Sequence, residues 1–200
     1  MNSDFLMHEM QYWKGGGYMA GADEAGRGPL AGPVVAAAVI FPKECVIEGI
    51  NDSKKLTEKK REQLYEEIIT NSIYSVGIVD AQEIDATNIL IAARKAFHIA
   101  AAGLSIVPNF FYTDFITKLD LPSPYEAIVK GDAKVYSIAA ASIVAKVTRD
   151  RMMRDYALQY PEYGFEKHKG YGTKLHYQAL KEFGPSPIHR KTFLKKLYED

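Results

Sequence analysis

The chain holds one cysteine, Cys45, in 200 residues. That excludes an intrachain disulfide and any zinc site built from cysteine thiolates, and it fits a reducing cytosol. Cys45 itself reads as a small buried hydrophobe rather than a nucleophile. No run approaches the roughly 18 consecutive apolar residues that a membrane-spanning helix needs. The first residues carry Asp4 and Glu9 and lack the apolar centre of a secretory signal. The expected location is therefore cytoplasmic. Internal repeats and low-complexity tracts are also missing. His168, His176 and His189 are scattered, with no spacing of the His-Glu-x-x-His kind, and read as surface or cap residues.

Net charge is missing too: 25 Lys+Arg balance 25 Asp+Glu, whereas many nucleic-acid binders are strongly basic. The balance conceals an uneven split. Residues 146–200 hold 12 Lys+Arg against 7 Asp+Glu, and the remainder holds 13 against 18. A basic third beside an acidic remainder suits an enzyme that grips phosphates with one part and cations with the other, although solvated helical faces give the same counts.

What is present is enough for one domain with a substantial core. Lys14-Gly15-Gly16-Gly17 reads as a hinge, so residues 1–17 are expected to be a flexible extension and residues 18–200 a single domain. Residues 18–25 and 33–41 read as a strand pair, the second apolar throughout as in a strand covered on both faces. Thr57 is placed to cap a helix over 58–69. A β-branched strand follows over 72–79, a helix over 88–102, and an aromatic strand over 109–115. A long helix over 135–159 and a shorter one over 174–183 complete an α/β pattern with a mixed sheet.

Chemistry concentrates in residues 21–33. Asp23 and Glu24, hard oxygen ligands of the kind a hydrated divalent cation takes, run into Gly26-Arg27-Gly28. Glycines on both sides of Arg27 leave backbone groups open to a close ligand. Neighbouring strand residues face opposite ways, so both carboxylates reach one site only if the strand ends or distorts there; otherwise Glu24 is an exposed strand-end charge.

Asp23-Glu24-Ala25-Gly26-Arg27-Gly28, followed by Pro29-Leu30-Ala31-Gly32-Pro33, resembles the opening signature of prokaryotic type 2 ribonucleases H, the ribonuclease HII family. Three later blocks match in order: Asn51-Asp52-Ser53-Lys54-Lys55-Leu56; Gly131-Asp132-Ala133-Lys134 leading into residues 138–150; and Lys169-Gly170-Tyr171-Gly172-Thr173. Together they span roughly residues 18–195.

The resemblance implies a ribonuclease H-like fold, with a mixed central sheet flanked by helices and a helical C-terminal part. It also implies an endoribonuclease that hydrolyses the RNA strand of RNA–DNA hybrids and cuts 5′ of single ribonucleotides in duplex DNA. Asp23, Glu24, Asp114 and Asp132 match the family's acidic quartet, which holds two Mg²⁺ or Mn²⁺ ions. Asp114 is followed by Phe115 where the family usually has glycine, and Asp120 is its nearby competitor. Asp132 alternatively caps the long helix, and Asp150 is expected to pair with Arg154 at i+4.

Gly26, Arg27 and Gly28 would read the ribose 2′-OH, with Tyr171 stacking on the neighbouring deoxyribose. Lys54 and Lys146, with Lys55, Arg149, Lys169 and Lys174, would contact phosphate or simply be solvated. Ser53 and Ser142 would bond phosphate or backbone. The expected partners are RNA–DNA hybrid and ribonucleotide-containing DNA, with no membrane and no obligate protein partner, as a monomer. The last residues, 193–200, lack the glutamine and paired aromatics of a clamp-binding peptide. The rivals are another metal-dependent nuclease of the same fold and an inactive hybrid-binding module.

Overall fold

The computed structural model describes residues 3–195, so residues 196–200 of that last segment lie outside the described residues. The apolar run expected as a doubly covered strand is β2 (Val34–Ile40), buried at every position. It pairs antiparallel with β1 (Met19–Ala25) on one side and β3 (Ile73–Val79) on the other. Beyond β1 lie β4 (Phe110–Asp114) and β5 (Tyr125–Ile128), parallel to it, in the order β3-β2-β1-β4-β5. The fold class is thus the expected α/β arrangement on a mixed sheet. Of the five strands only β5 had no sequence signal, because four residues are too few to display an alternating pattern.

Alternation along the strands feeds two cores. Ala20, Ala22, Ala36 and Ala38 pack with Ala93, Ala96 and Phe97 of α4 (Ile89–Ala102), which follows a short α3 (Ala81–Ala86). Val35, Ala37 and Val39 pack with Ala140, Ile143 and Val144 of α5 (Tyr136–Gln159) and with Leu64 and Ile68 of α2 (Glu58–Asn71). The strands' small residues let the helices approach. At Gly21 a Cβ would fall on the backbone of Ser137 and Ile138, so α5 sits directly on β1. Thr57 caps α2 as expected, its hydroxyl accepting from the Lys60 N–H at 3.2 Å.

The N-terminal segment differs from expectation. Met7–Gly15 forms a helix, α1, and Phe5, Leu6 and Trp13 pack against the α5-side core. Glu9 is 1% exposed, and its Oε1 accepts from the Ser137 N–H of α5 at 2.8 Å. The residue preceding α5, Val135, offers no capping side chain. Glu9 supplies the missing acceptor from another helix.

The C-terminal part, with α6 (Phe165–His168) and α7 (Lys174–Phe183), builds a third core from Leu30, Ala31, Met153, Phe165, Leu180 and Ile188. Leu30 and Ala31 belong to the loop after β1, so this core fastens that loop to the end of the chain. Among the described residues no helix is long and apolar enough to cross a membrane.

Candidate active site

Parallel pairing decides where the carboxylates meet. Ala22 pairs with Thr113, so the next step of the ladder sets Asp23 beside Asp114 at the C-terminal edge of the sheet. Glu24 stays in register opposite Ala36, and pairing continues to Ala25. The strand therefore does not distort at Glu24. It runs out one residue later, and Gly26, at φ 99°, turns the chain so that both faces of β1 open into one cleft.

Asp23, Glu24, Asp114, Gly26, Arg27, Gly28, Lys54, Lys146 and Tyr171 all line that cleft, with Ser53 and Ser142. Its volume of ≈ 260 Å³ falls below the range that encloses a drug-sized ligand. Asp132 is not in the lining. It is 4% exposed and held at the edge by Lys54, whose Nζ lies 3.2 Å from Asp132 Oδ2. Nor does Asp132 cap α5: it sits in the separate turn Gly131–Ala133.

Burial pushes the Asp23 carboxyl well above the usual carboxylate range, and the nearby Glu24 and Asp114 raise it further. Burial raises Glu24 as well, against the opposing pull of Arg27 at 3.3 Å. Asp23 accepts from the Glu24 N–H at 2.7 Å, and the nearby Ser142 hydroxyl pulls its carboxyl slightly back down. Ser53 and Ser142 share a hydrogen bond of 2.7 Å beside it. Asp114 Oδ1 accepts from the Gly131 N–H at 2.7 Å. Phe115 is 64% exposed and has no positive φ, so the backbone there does not require the family's glycine. Asp120 is exposed beside His98, away from the cleft.

Each acidic side chain is thus held by a protein donor, and among the described residues no three already converge on one cation-sized point. The donor set nevertheless fits a hard divalent cation. Like charges crowded until their carboxyls rise need positive charge to stay ionised together.

Two arginines shape the Gly26–Gly28 turn, and sequence reasoning missed their part in it. Arg190, 0% exposed, donates to the carbonyls of Gly26, Arg27, Pro29, Gly32 and Pro33 at 2.6–3.1 Å. Arg149, expected at phosphate, is buried and donates to Pro33, Ala31 and Lys169 carbonyls at 2.9–3.0 Å. Asp150 pairs with Lys146 at 2.7 Å rather than with Arg154, which is drawn to Glu58 and Glu62 of α2. Lys55 and Lys174 are exposed and outside the cleft lining.

Across the cleft, Leu30 N–H donates to Gly170 O at 2.8 Å, tying the turn to the loop that bears Tyr171. The tyrosine ring stays 43% exposed, with Lys146 and Arg149 each 5.9 Å from its centroid. A Cβ at Gly28 would meet only Tyr171 Cε1, at 3.8 Å, and Gly28 has no positive φ. The fold does not need glycine at 28. The histidines expected on the surface lie buried behind this loop: His176 and His189 approach at 2.9 Å, and His168 stacks on His176 at 4.4 Å.

The sequence profile of the ribonuclease HII family matches residues 20–197. The chain belongs to the ribonuclease HII family. It is 53% identical to the ribonuclease HII of Caldicellulosiruptor saccharolyticus over 194 residues, covering 96% of this chain and 95% of that one. The crystal structure of the Pyrococcus horikoshii ribonuclease H2 is similar at TM-score 0.77 and 31% identity, covering 91% of this chain and 97% of the other. The ribonuclease HII of Archaeoglobus fulgidus, solved in complex with PCNA, is similar at TM-score 0.70 and 28% identity, covering 86% and 93%. Membership makes the protein a ribonuclease H, a hydrolase acting on the RNA of RNA–DNA hybrids.

Proposed function

We propose that this ribonuclease cuts on the 5′ side of single ribonucleotides embedded in duplex DNA, as well as within hybrids. The observation that carries the reading is the pairing of Gly28 with Tyr171 across the cleft from Asp23 and Asp114. The position has room for a side chain, yet glycine stands there, and a sugar must pass between that backbone and the ring.

Arg190 occupies the carbonyls of Gly26, Arg27 and Pro29. Among the described residues neither the N–H nor the C=O of Gly28 meets a protein partner. Gly28 therefore offers one donor and one acceptor side by side. A 2′-OH, which both donates and accepts, matches that pair, while a deoxyribose leaves it unanswered. Tyr171 presents an apolar face for the following sugar, where a second 2′-OH would crowd the ring. Arg27 and Lys146 line the cleft as cations for the adjoining phosphates.

Asp23, Glu24 and Asp114, joined by Asp132 once Lys54 yields it, would hold two Mg²⁺ or Mn²⁺ ions, which when bound supply an activated water and neutralise charge at the departing 3′ oxygen. The protein's own part is to keep these carboxylates oriented. The Glu24 N–H holds Asp23, with the hydrogen-bonded Ser53–Ser142 pair lining the same cleft, and the Gly131 N–H holds Asp114.

The deciding experiment compares a duplex with one ribonucleotide, a uniform hybrid and an all-DNA control, with wild type and Tyr171→Ala. Losing the stacking platform is worth about 1–3 kcal/mol. The variant should lose roughly one to two orders of magnitude on the single ribonucleotide, less on the hybrid, and leave all-DNA uncut. An unchanged ratio between the two ribonucleotide substrates would remove Tyr171 from sugar recognition. Cleavage of all-DNA would favour a nuclease of the same fold that ignores the sugar.

A further inference from the structure

Two of the three histidines behind the Tyr171 loop, His189 and His176, form a continuous hydrogen-bonded line, and one backbone amide fixes its direction. The Ser186 N–H points at His189 Nδ1 at 2.9 Å. A backbone amide can only donate, so His189 Nδ1 carries no proton and its ring proton is on Nε2. The Ser186 hydroxyl, 2.8 Å from the same nitrogen, must then donate as well. His189 Nε2 lies 2.9 Å from His176 Nε2. Two ring nitrogens bond only if one is bare, so His176 accepts there and keeps its proton on Nδ1. That Nδ1–H faces the Tyr171 carbonyl at 3.0 Å. The tautomer of each ring follows from the one before it.

His168 obeys the same logic on the other side of the loop. The Gly170 N–H donates to His168 Nδ1 at 3.2 Å, which puts the ring proton on Nε2, aimed at the Tyr163 carbonyl at 2.8 Å. Burial lowers all three rings, His176 and His189 to about 4, so each holds a single ring proton at neutral pH. Phe165 packs edge-on against His168 and His176, which fixes the ring planes.

We propose that this line, from the Ser186 amide through His189 and His176 to the Tyr171 carbonyl, sets the height of the tyrosine ring over Gly28. His176 and His189 are then positioning residues for sugar recognition. The inference rests on the reading of Tyr171 given above. Its physical basis is that, among the described residues, the Tyr171 backbone otherwise bonds only to residues two or three away in sequence. The Tyr171 N–H donates to His168 O and the Tyr171 carbonyl accepts from the Thr173 N–H. The histidine line ties that local turn to Ser186, beyond α7, in the segment that continues to Arg190. One wall of the cleft is thereby referred to the same strand of chain that shapes the other.

Two variants of one residue separate positioning from mere filling of space. In His176→Asn the side-chain amide falls where Nδ1 was and can still donate to the Tyr171 carbonyl. In His176→Gln the polar end falls where Nε2 was, keeping the His189 bond and losing the one to Tyr171. The expected result is single-ribonucleotide cleavage lower by about fivefold for Gln, as loss of one hydrogen bond implies, and lowered less for Asn, which severs the line at His189 but still holds the Tyr171 carbonyl. The hybrid should be affected less. Nitrogen NMR of the wild-type rings should show the proton on Nδ1 of His176 and on Nε2 of His189 and His168. A His176 proton on Nε2 overturns the line without any substitution being made. Equal activities of the folded Asn and Gln variants overturn the positioning role while Tyr171→Ala still lowers the ratio of the two activities. An unchanged ratio in Tyr171→Ala overturns the stacking reading, and the role of the line in recognition falls with it.

Discussion

Arg190 Nη2 donates to the Gly26 carbonyl at 2.6 Å, joining residues 164 apart in sequence. No carboxylate neutralises that guanidinium among its hydrogen-bond partners, which are all backbone carbonyls of the turn. Burial and the neighbouring Arg149 push it down to about 9, so it remains charged at neutral pH.

Arg190→Lys should therefore be far from conservative. An ammonium cannot span carbonyls fanned around a planar fork, and bonds to a charged donor are worth about 1.5–3 kcal/mol each. The expected loss is ~3 kcal/mol or more in urea unfolding, with single-ribonucleotide cleavage falling alongside. A lysine variant of wild-type stability would show that the carbonyls are satisfied by water instead.

Gly28→Ala should leave stability within about 0.5 kcal/mol, since its added methyl meets only the Tyr171 ring at contact distance. Cleavage of the single ribonucleotide should nonetheless fall at least ~10-fold, because the methyl stands where the sugar must approach. Full activity in the alanine variant would mean that the sugar is read elsewhere.

Asp23→Asn should lower turnover by at least ~10²-fold, the scale on which electrostatic stabilisation of a reaction operates. Its stability effect has the opposite sign. The folded protein raises the Asp23 carboxyl, so it binds that proton more tightly than the unfolded chain does. The associated stability is present in acid and lost as pH rises from the ordinary range near 3.8 through the higher folded value. In metal-free buffer the Asn variant should match wild type in acid and exceed it in Tm towards neutrality. A Tm gap that stays constant with pH would place Asp23 outside the coupled cluster.

Glu9→Gln tests the helix α1 contact by the same linkage. Burial raises the Glu9 carboxyl despite its bond to Ser137, so its ionisation also costs stability as pH rises. Glutamine keeps an oxygen for the Ser137 N–H and sheds that cost, and its Tm should gain on wild type as pH increases. Glu9→Leu, lacking the acceptor, should lose about 1 kcal/mol, the usual worth of a helix cap. Wild type outlasting the Gln variant at neutral pH would show that attraction of the carboxylate to the helix N-terminus outweighs its burial.

The parts of the site legible in the sequence are those written locally. Asp23, Glu24 and Gly26 stand in one short run, and Asp114 closes a strand whose aromatic pattern is plain. Arg149 and Arg190 escaped because their partners are backbone carbonyls, which every sequence has. Asp150 was paired with the wrong cation for a related reason. Lys146 and Arg154 are both four residues away, and only the glutamates on α2 decide which one is free. The histidines read as surface groups because titratable rings look polar until a fold supplies them with matching donors. Phe115 raised a doubt about the backbone that its ordinary φ and exposed ring remove.

The bond between Arg190 and Gly26 also sets a timetable. A ribosome adding about 5–20 residues per second delivers the acidic pair early. At that pace the arginine that shapes the next turn follows about 8–33 seconds later. Through that interval the nascent chain carries its acidic residues without the guanidinium that holds the glycine turn. The wall of the cleft that carries Gly26 to Gly28 can take its final shape only once Arg190 has been made, so its folding waits on residues far along the chain.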